Sequence, residues 1–259
     1  MDIDGRQVLL TGANGGLGQA IARELHGLGA RLVLSGRRPD QLQPVADELG
    51  AEVVLADLTD RADVERICAD VGRFDVVVAN AGVGSSMPPL DISAAEIDAL
   101  IDINLRTPML LATSFAAQRA AAGLDGHLVA VGSLAGIAAS PGTSLYNATK
   151  FGLRGFALAF SQDLDGTGVG MSIVEPGFIR DAGMFARNSI DLPPGVRTKS
   201  PEDVAHAVVR AIRTGRIEVF ASPPELRLLS TVATVVPGFS AAVQRRLGVA
   251  DRVDRAAGS

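Results

Sequence analysis

The chain has 259 residues, of which 47% are hydrophobic and 20% charged, so a sizeable core is expected and disorder is not. A formal net charge of −5 argues against a nucleic-acid surface, which would need a basic stripe. The single cysteine, Cys68, cannot close an internal disulfide, and the acidic start MDIDGRQVLL lacks the basic segment of a secretory signal.

Apolar runs begin early in the chain and recur. QVLLTG (7–12), RLVLSG (31–36), EVVLAD (52–57) and FDVVVAN (74–80) are followed by HLVAVGS (127–133) and VGMSIVEP (169–176). RIEVFA (216–221) is a weaker seventh. Continuous rather than alternating apolar residues are expected of parallel strands covered on both faces. Stretches with helical spacing separate them. Pro39 opens one, Ser93-Ala-Ala-Glu96 is a capping box, and Ser200 stands before Pro201 at a first helical position. This succession predicts an α/β fold: one doubly wound, mostly parallel, seven-stranded Rossmann-type sheet with helices on both faces. The catalytic unit is expected over residues 1–222. Residues 223–259 then form a helical extension packed on the same domain or on a partner subunit.

No run approaches the roughly 18 apolar residues that span a bilayer. His26, His127 and His206 lack metal-ligand spacing, so no metal is expected, and the location expected is cytoplasmic. Within 224–248, an apolar helix, a Pro-Gly break and a short helix ending in Arg245 and Arg246 suggest a lid or subunit contact. Peripheral membrane contact by this segment is the less favoured alternative, because the chain is acidic overall.

In an open parallel sheet, ligands bind beyond the carboxyl ends of the strands. The first run enters TGANGGLG, where Gly12, Gly16 and Gly18 permit a tight turn, close backbone approach to a pyrophosphate and close helix packing. Asn14, Gly15 and Leu17 lie within the same motif, and the following helix would present its N-terminal amides to the phosphates. An acid that bonds the ribose 2′-hydroxyl of NAD usually ends the second strand, about 20 residues on. Here that strand ends in Ser35-Gly36-Arg37-Arg38. Gly36 leaves room, and Arg37 with Arg38 can pair with a 2′-phosphate, so NADP(H) is favoured over NAD(H). Asp57, beside Leu58 at the third strand's end, either accepts from the adenine amino group or caps a helix.

The chain's only tyrosine, Tyr146, stands four residues before Lys150, one of only two lysines. Residues at i and i+4 share a helix face, so an ammonium can neighbour the phenol and favour phenolate. A tyrosine poised nearer neutrality can exchange a proton with a carbonyl or alcohol oxygen.

TGANGGLG, Asn80-Ala81-Gly82, Asn104, Ser133, Tyr146, Lys150 and Pro176-Gly177 occur in an order that resembles the short-chain dehydrogenase/reductase family, in its form of about 250 residues. The spacing TGxxxGxG and YxxxK separates it from the extended epimerase group and from enoyl reductases of related fold. The resemblance implies that Ser133 bonds the substrate oxygen and that Lys150 also holds the ribose. It implies that Asn104 positions a water in a proton relay, and that Pro176, Gly177 and Ile179 join Tyr146 and Lys150 around the cofactor. It also implies a homo-oligomer, dimer or tetramer. Asp181 departs from the pattern, since the family often has a cofactor-contacting Thr there and a carboxylate cannot donate. Apolar stretches at 83–90 and 178–196, with small residues after Ser133, predict a hydrophobic carbonyl or alcohol substrate. The competing reading is a dinucleotide-sensing protein that keeps the fold without catalysis.

Overall fold

The computed structural model describes residues 1–85, 90–181 and 197–246. Seven parallel strands form one sheet in the order β3-β2-β1-β4-β5-β6-β7. They are β1 (Gln7–Thr11), β2 (Arg31–Gly36), β3 (Glu52–Leu55), β4 (Val76–Ala79), β5 (Gly126–Val131), β6 (Val169–Pro176) and β7 (Glu218–Ala221). The order reverses between β1 and β4, which leaves a crevice above their carboxyl ends. All seven expected strands are present. β3, β4 and β5 are shorter than their apolar runs because the last residues turn out of the sheet into the ligand-facing loops.

Helices cover both faces, as the unbroken apolar strands require. On one side lie α1 (Gly16–Gly27), α2 (Pro39–Leu49) and α7 (Pro201–Thr214), which bury Ile21, Leu25, Leu42, Val208 and Ile212 against Val8, Leu10 and Val78. On the other lie α3 (Arg61–Ala69), α5 (Thr107–Ala121) and α6 (Ser144–Asp163), whose Ile67, Phe115, Leu111 and Leu153 pack on Leu9, Val77 and Leu128. Local signals set the helix starts. Ser93 and Glu96 form the reciprocal capping box before α4 (Ala94–Ile101), and Ser200 with Asp203 does the same before α7. Asp60, not Asp57, caps α3, accepting from the amide of Ala62.

Two further helices, α8 (Pro224–Val235) and α9 (Pro237–Arg246), follow β7 and bury no residue. They are nonetheless tied to the fold near the site. Thr234 donates to the carbonyl of Ile137 at 2.6 Å, and Gln244 donates to that of Ala139 at 3.1 Å. Among the described residues, no helix is long and apolar enough to cross a membrane.

Candidate active site

The glycine turn after β1 is shaped by contacts that leave no room for side chains. Gly12 adopts φ 65°, and a Cβ there would lie 2.8 Å from the Cα of Ala81. A Cβ on Gly18 would overlap the Gly12 carbonyl, so this glycine lets α1 start directly against the turn. Gly15 precedes α1 in extended conformation with no side-chain cap, and the first turn holds no acid. The amides of Gly16, Leu17 and Gly18 therefore begin a helix whose terminal donors are free for an anion. Asn80 locks this turn to β4, its Nδ2 donating to Thr11 O at 3.0 Å and Gly12 O at 3.2 Å.

The second strand's end carries the features that bear on cofactor choice. A Cβ on Gly36 would stand 2.7 Å from Asn14 Oδ1, so glycine here admits the Asn14 side chain. Arg37 reaches Asp57 at 3.8 Å, both side chains being largely exposed. Asp57 Oδ1 also accepts from the amide of Thr59 at 3.0 Å and its hydroxyl at 2.8 Å, which holds the carboxyl below its usual range. Leu58 is buried, and its carbonyl accepts from Thr107 at 3.1 Å. Arg38 stands exposed in extended conformation just before α2. A dinucleotide fits these residues: a side-chain-free phosphate turn, an open helix start, and at the end of β2 an exposed guanidinium whose one acidic neighbour, Asp57, is 3.8 Å away.

The chemistry gathers at the ends of β4, β5 and β6. Asn104 lies in a π-turn (Asp102–Arg106) between α4 and α5 and is fully buried. Its Oδ1 accepts from the amide of Val83 at 2.9 Å, and its Nδ2 donates to Val83 O at 2.8 Å and to Thr149 Oγ1 at 3.3 Å. The side chain thus clamps the Asn80-Ala81-Gly82 loop to α6. Gly82 lies against both groups, since a Cβ there would be 3.1 Å from Asn104 Oδ1 and 3.7 Å from Lys150 Nζ. π-turns recur at functional sites, and this one has no sequence signature.

Ser133 leaves β5 extended, and its hydroxyl accepts from the amide of Ala135 at 3.1 Å. Its side chain also acts on the phenol of Tyr146, in the first turn of α6, favouring loss of the phenol proton. Lys150 is buried, donates to the carbonyl of Val131 at 2.9 Å, and stands 5.7 Å from the Tyr146 ring centroid. Burial lowers its ammonium to about 8, opposed by the Glu175 carboxylate. The phenolate-favouring environment expected of the neighbouring lysine is not what the folded chain provides. Burial pushes Tyr146 upward, the Ser133 side chain opposes this, and Glu175 adds to it. The main reason is burial of the phenol, while Lys150 directs one of its N–H donors to Val131.

Several residues that hold this site were not singled out from sequence. Asn147 donates to Ala135 O at 2.7 Å and Ala138 O at 3.1 Å, tying the loop after Ser133 to α6. Thr11 Oγ1 accepts from the amides of both Asn80 and Ala81 at 3.1 Å. Glu175, inside β6, accepts from the amide of Ser133 at 2.5 Å. The available signal was an acid within the otherwise apolar run VGMSIVEP.

Pro176 ends β6 in register with Ala221, and the Gly177 amide donates to Ala221 O at 3.1 Å. Ile179 is buried and bridges to Lys199. Asp181 takes a left-handed φ of 66°, the single non-glycine to do so among the described residues, and pairs with Arg180 at 3.5 Å. A cavity of about 430 Å³ between Gly16 of α1 and Pro201 of α7 includes Asp181 in its wall, beside the turn rather than over Tyr146. Most of the apolar stretch 178–196, and residues 86–89 of the other, lie outside the described residues.

The short chain dehydrogenase family model matches residues 6–192. The chain belongs to this family. This short-chain dehydrogenase is 32% identical over 218 residues to a 3-oxoacyl-[acyl-carrier-protein] reductase, FabG, of Rickettsia conorii, covering 80% of this chain and 89% of the relative. A short-chain dehydrogenase of Sphingobium yanoikuyae, solved in complex with NADPH, is 27% identical with a TM-score of 0.75 over 94% of each chain. A metagenomic short-chain oxidoreductase in complex with NADP is 32% identical, with a TM-score of 0.67 over 89% of this chain and 92% of its own. The family places the chain among the oxidoreductases.

Proposed function

We propose that the chain is an NADP(H)-dependent oxidoreductase that interconverts a hydrophobic ketone or aldehyde and its alcohol, with Tyr146 as general acid/base. The observation that carries this reading is the Ser133 side chain acting on the Tyr146 phenol, with the buried Lys150 one helical turn away and 5.7 Å from the ring centre. A carbonyl oxygen between those two hydroxyls would accept from both. When bound, the dinucleotide supplies or takes up a hydride. The chain's own part is to bind that oxygen and move one proton. Tyr146, held in its protonated form, donates to the oxygen as it becomes an alkoxide, and the nearby Lys150 ammonium stabilises the phenolate left behind. In the reverse direction the phenolate takes the alcohol proton.

NADP(H) is supported by Arg37 at the end of β2, where no acid stands, and by the NADPH and NADP complexes of the two solved relatives. A hydrophobic substrate is supported by Leu134, Ile137 and Ala138 around Ser133, backed by α8 and α9. Reduction of a carbonyl by the FabG relative agrees with the direction in which a protonated phenol is useful. The test is turnover of apolar ketones with NADPH by the wild type and by Tyr146→Phe. Lost turnover with retained cofactor binding supports the enzyme. A wild type that binds the cofactor and never turns over supports a sensor.

A further inference from the structure

Glu175 is fully buried in β6, one residue before Pro176 and directly behind the site. A carboxyl with no exposure is costly unless each oxygen is satisfied. Its Oε2 accepts from the amide of Ser133 at 2.5 Å. Its Oε1 has no hydrogen-bond partner, and Arg154 Nε stays 3.9 Å away because it bonds Glu218 at 2.7 Å instead. The neighbouring strand makes way for the group. A Cβ on Gly132 would overlap Glu175 Oε2, so the residue before Ser133 has to be the one without a side chain.

An apolar residue would fill this strand position at lower cost, yet the fold spends a glycine and a buried acid on it. The charged and titratable groups facing Glu175 are Lys150, Tyr146 and Arg154 from α6 and Glu218 from β7. We infer that Glu175 is a positioning residue of the reaction, anchoring the Ser133 end of β5 and controlling the pH at which Tyr146 releases its proton. The inference rests on the reading of Tyr146 as general acid/base.

Burial, above all, pushes the Glu175 carboxyl up to about 8, so it is largely neutral at pH 7 and gains its charge on the alkaline side. The new negative charge disfavours a second one on Tyr146 and favours the cation on Lys150. Glu175 thereby keeps the phenol protonated, and the lysine charged, to higher pH than the pair would manage alone. Through Oε2 it also fixes the backbone that carries the Ser133 side chain beside α6.

The chain's single tyrosine and absence of tryptophan make this directly measurable. The full chain is produced with a fluorinated tyrosine, whose one resonance reports Tyr146 ionisation by fluorine NMR without any turnover. In Glu175→Gln, which keeps an acceptor for the Ser133 amide, the titration midpoint is expected to fall by about one pH unit. The alkaline limb of carbonyl reduction should fall with it. An unchanged midpoint overturns the control of Tyr146. Glu175→Leu removes the acceptor as well and is expected to lose roughly tenfold in kcat beyond Glu175→Gln, with unchanged NADPH affinity. Equal kcat in the two variants overturns the anchoring role. Should Glu175→Leu not fold, Gly132→Ala, which pushes the carboxyl off the Ser133 amide, reads the same loss. A wild type without turnover would end the oxidoreductase reading, while the fluorine titration would still decide whether Glu175 controls Tyr146.

Discussion

Lys150 stands 5.7 Å from the centre of the Tyr146 ring while its ammonium donates to the carbonyl of Val131 at 2.9 Å. The lysine is therefore held by the sheet, one helical turn from a phenol on which Ser133 acts. Tyr146→Phe removes the proton donor without changing the packing, and kcat should drop by about 10²–10⁴ with cofactor affinity kept. Lys150→Arg should be nearly as damaging, since a planar guanidinium does not fit a buried site built around one carbonyl. Steady-state rates beside dinucleotide dissociation constants check both.

Arg37 and Asp57 face each other at 3.8 Å, so a 2′-phosphate arriving at Arg37 competes with a weak, exposed pair. Charge-assisted contacts of this kind contribute about 1.5–3 kcal/mol, so NADPH should bind roughly tenfold to a hundredfold more tightly than NADH. Arg37→Ala should remove most of that preference, and the NADPH advantage should shrink with added salt. Titrations of both dinucleotides at two salt concentrations measure it. Equal affinities in the wild type would refute the choice of NADP(H).

The same substitution should have opposite effects at two helical glycines. Gly18→Ala drives a methyl into the Gly12 carbonyl and is expected to cost about 1–3 kcal/mol of stability while weakening dinucleotide binding. Gly155, on the exposed side of α6, has nothing within 4 Å of its Cβ position. Gly155→Ala should stabilise by roughly 0.5–1 kcal/mol. Urea midpoints distinguish the two.

His127 is buried in β5 with Nε2 2.8 Å from Ser172 Oγ, and burial holds its imidazole down to about 4 against an ordinary 6.5. Between those pH values the unfolded chain binds a proton that the folded chain refuses, so stability rises with pH across the window and is lost as pH falls from 6.5 to 4. The loss attributable to this one group reaches about 3 kcal/mol. His127→Gln should flatten the acid limb of stability against pH, measured from denaturation midpoints. A variant curve parallel to the wild type would show that His127 does not carry it.

The strand set, the glycine turn and the shared helix face of Tyr146 and Lys150 were legible in the residues, because each depends on local rules, whereas Asn104 and Ser133 were reached only through the resemblance to the family. Apolar run length encodes two-sided burial, capping pairs encode helix starts, and i, i+4 spacing encodes a shared helix face. The missing acid after β2 was legible for the same reason: strand end and motif spacing are both counted along the chain.

Packing across distant segments decided the rest. The π-turn that aims Asn104 at Val83 exists because β4, α5 and α6 meet there, and no run of residues from 102 to 106 announces it. Whether Tyr146 would be held protonated depended on how far the fold buries the phenol, and the acceptor of the Lys150 ammonium lies on β5, a strand distant in sequence. Glu175 reads in the sequence as an odd acid in a strand. Only the pairing of β5 with β6, and the missing side chain at Gly132, bring its carboxyl to the amide of Ser133. Local propensity follows neighbours in the chain, whereas burial, charge and proton affinity follow neighbours in space.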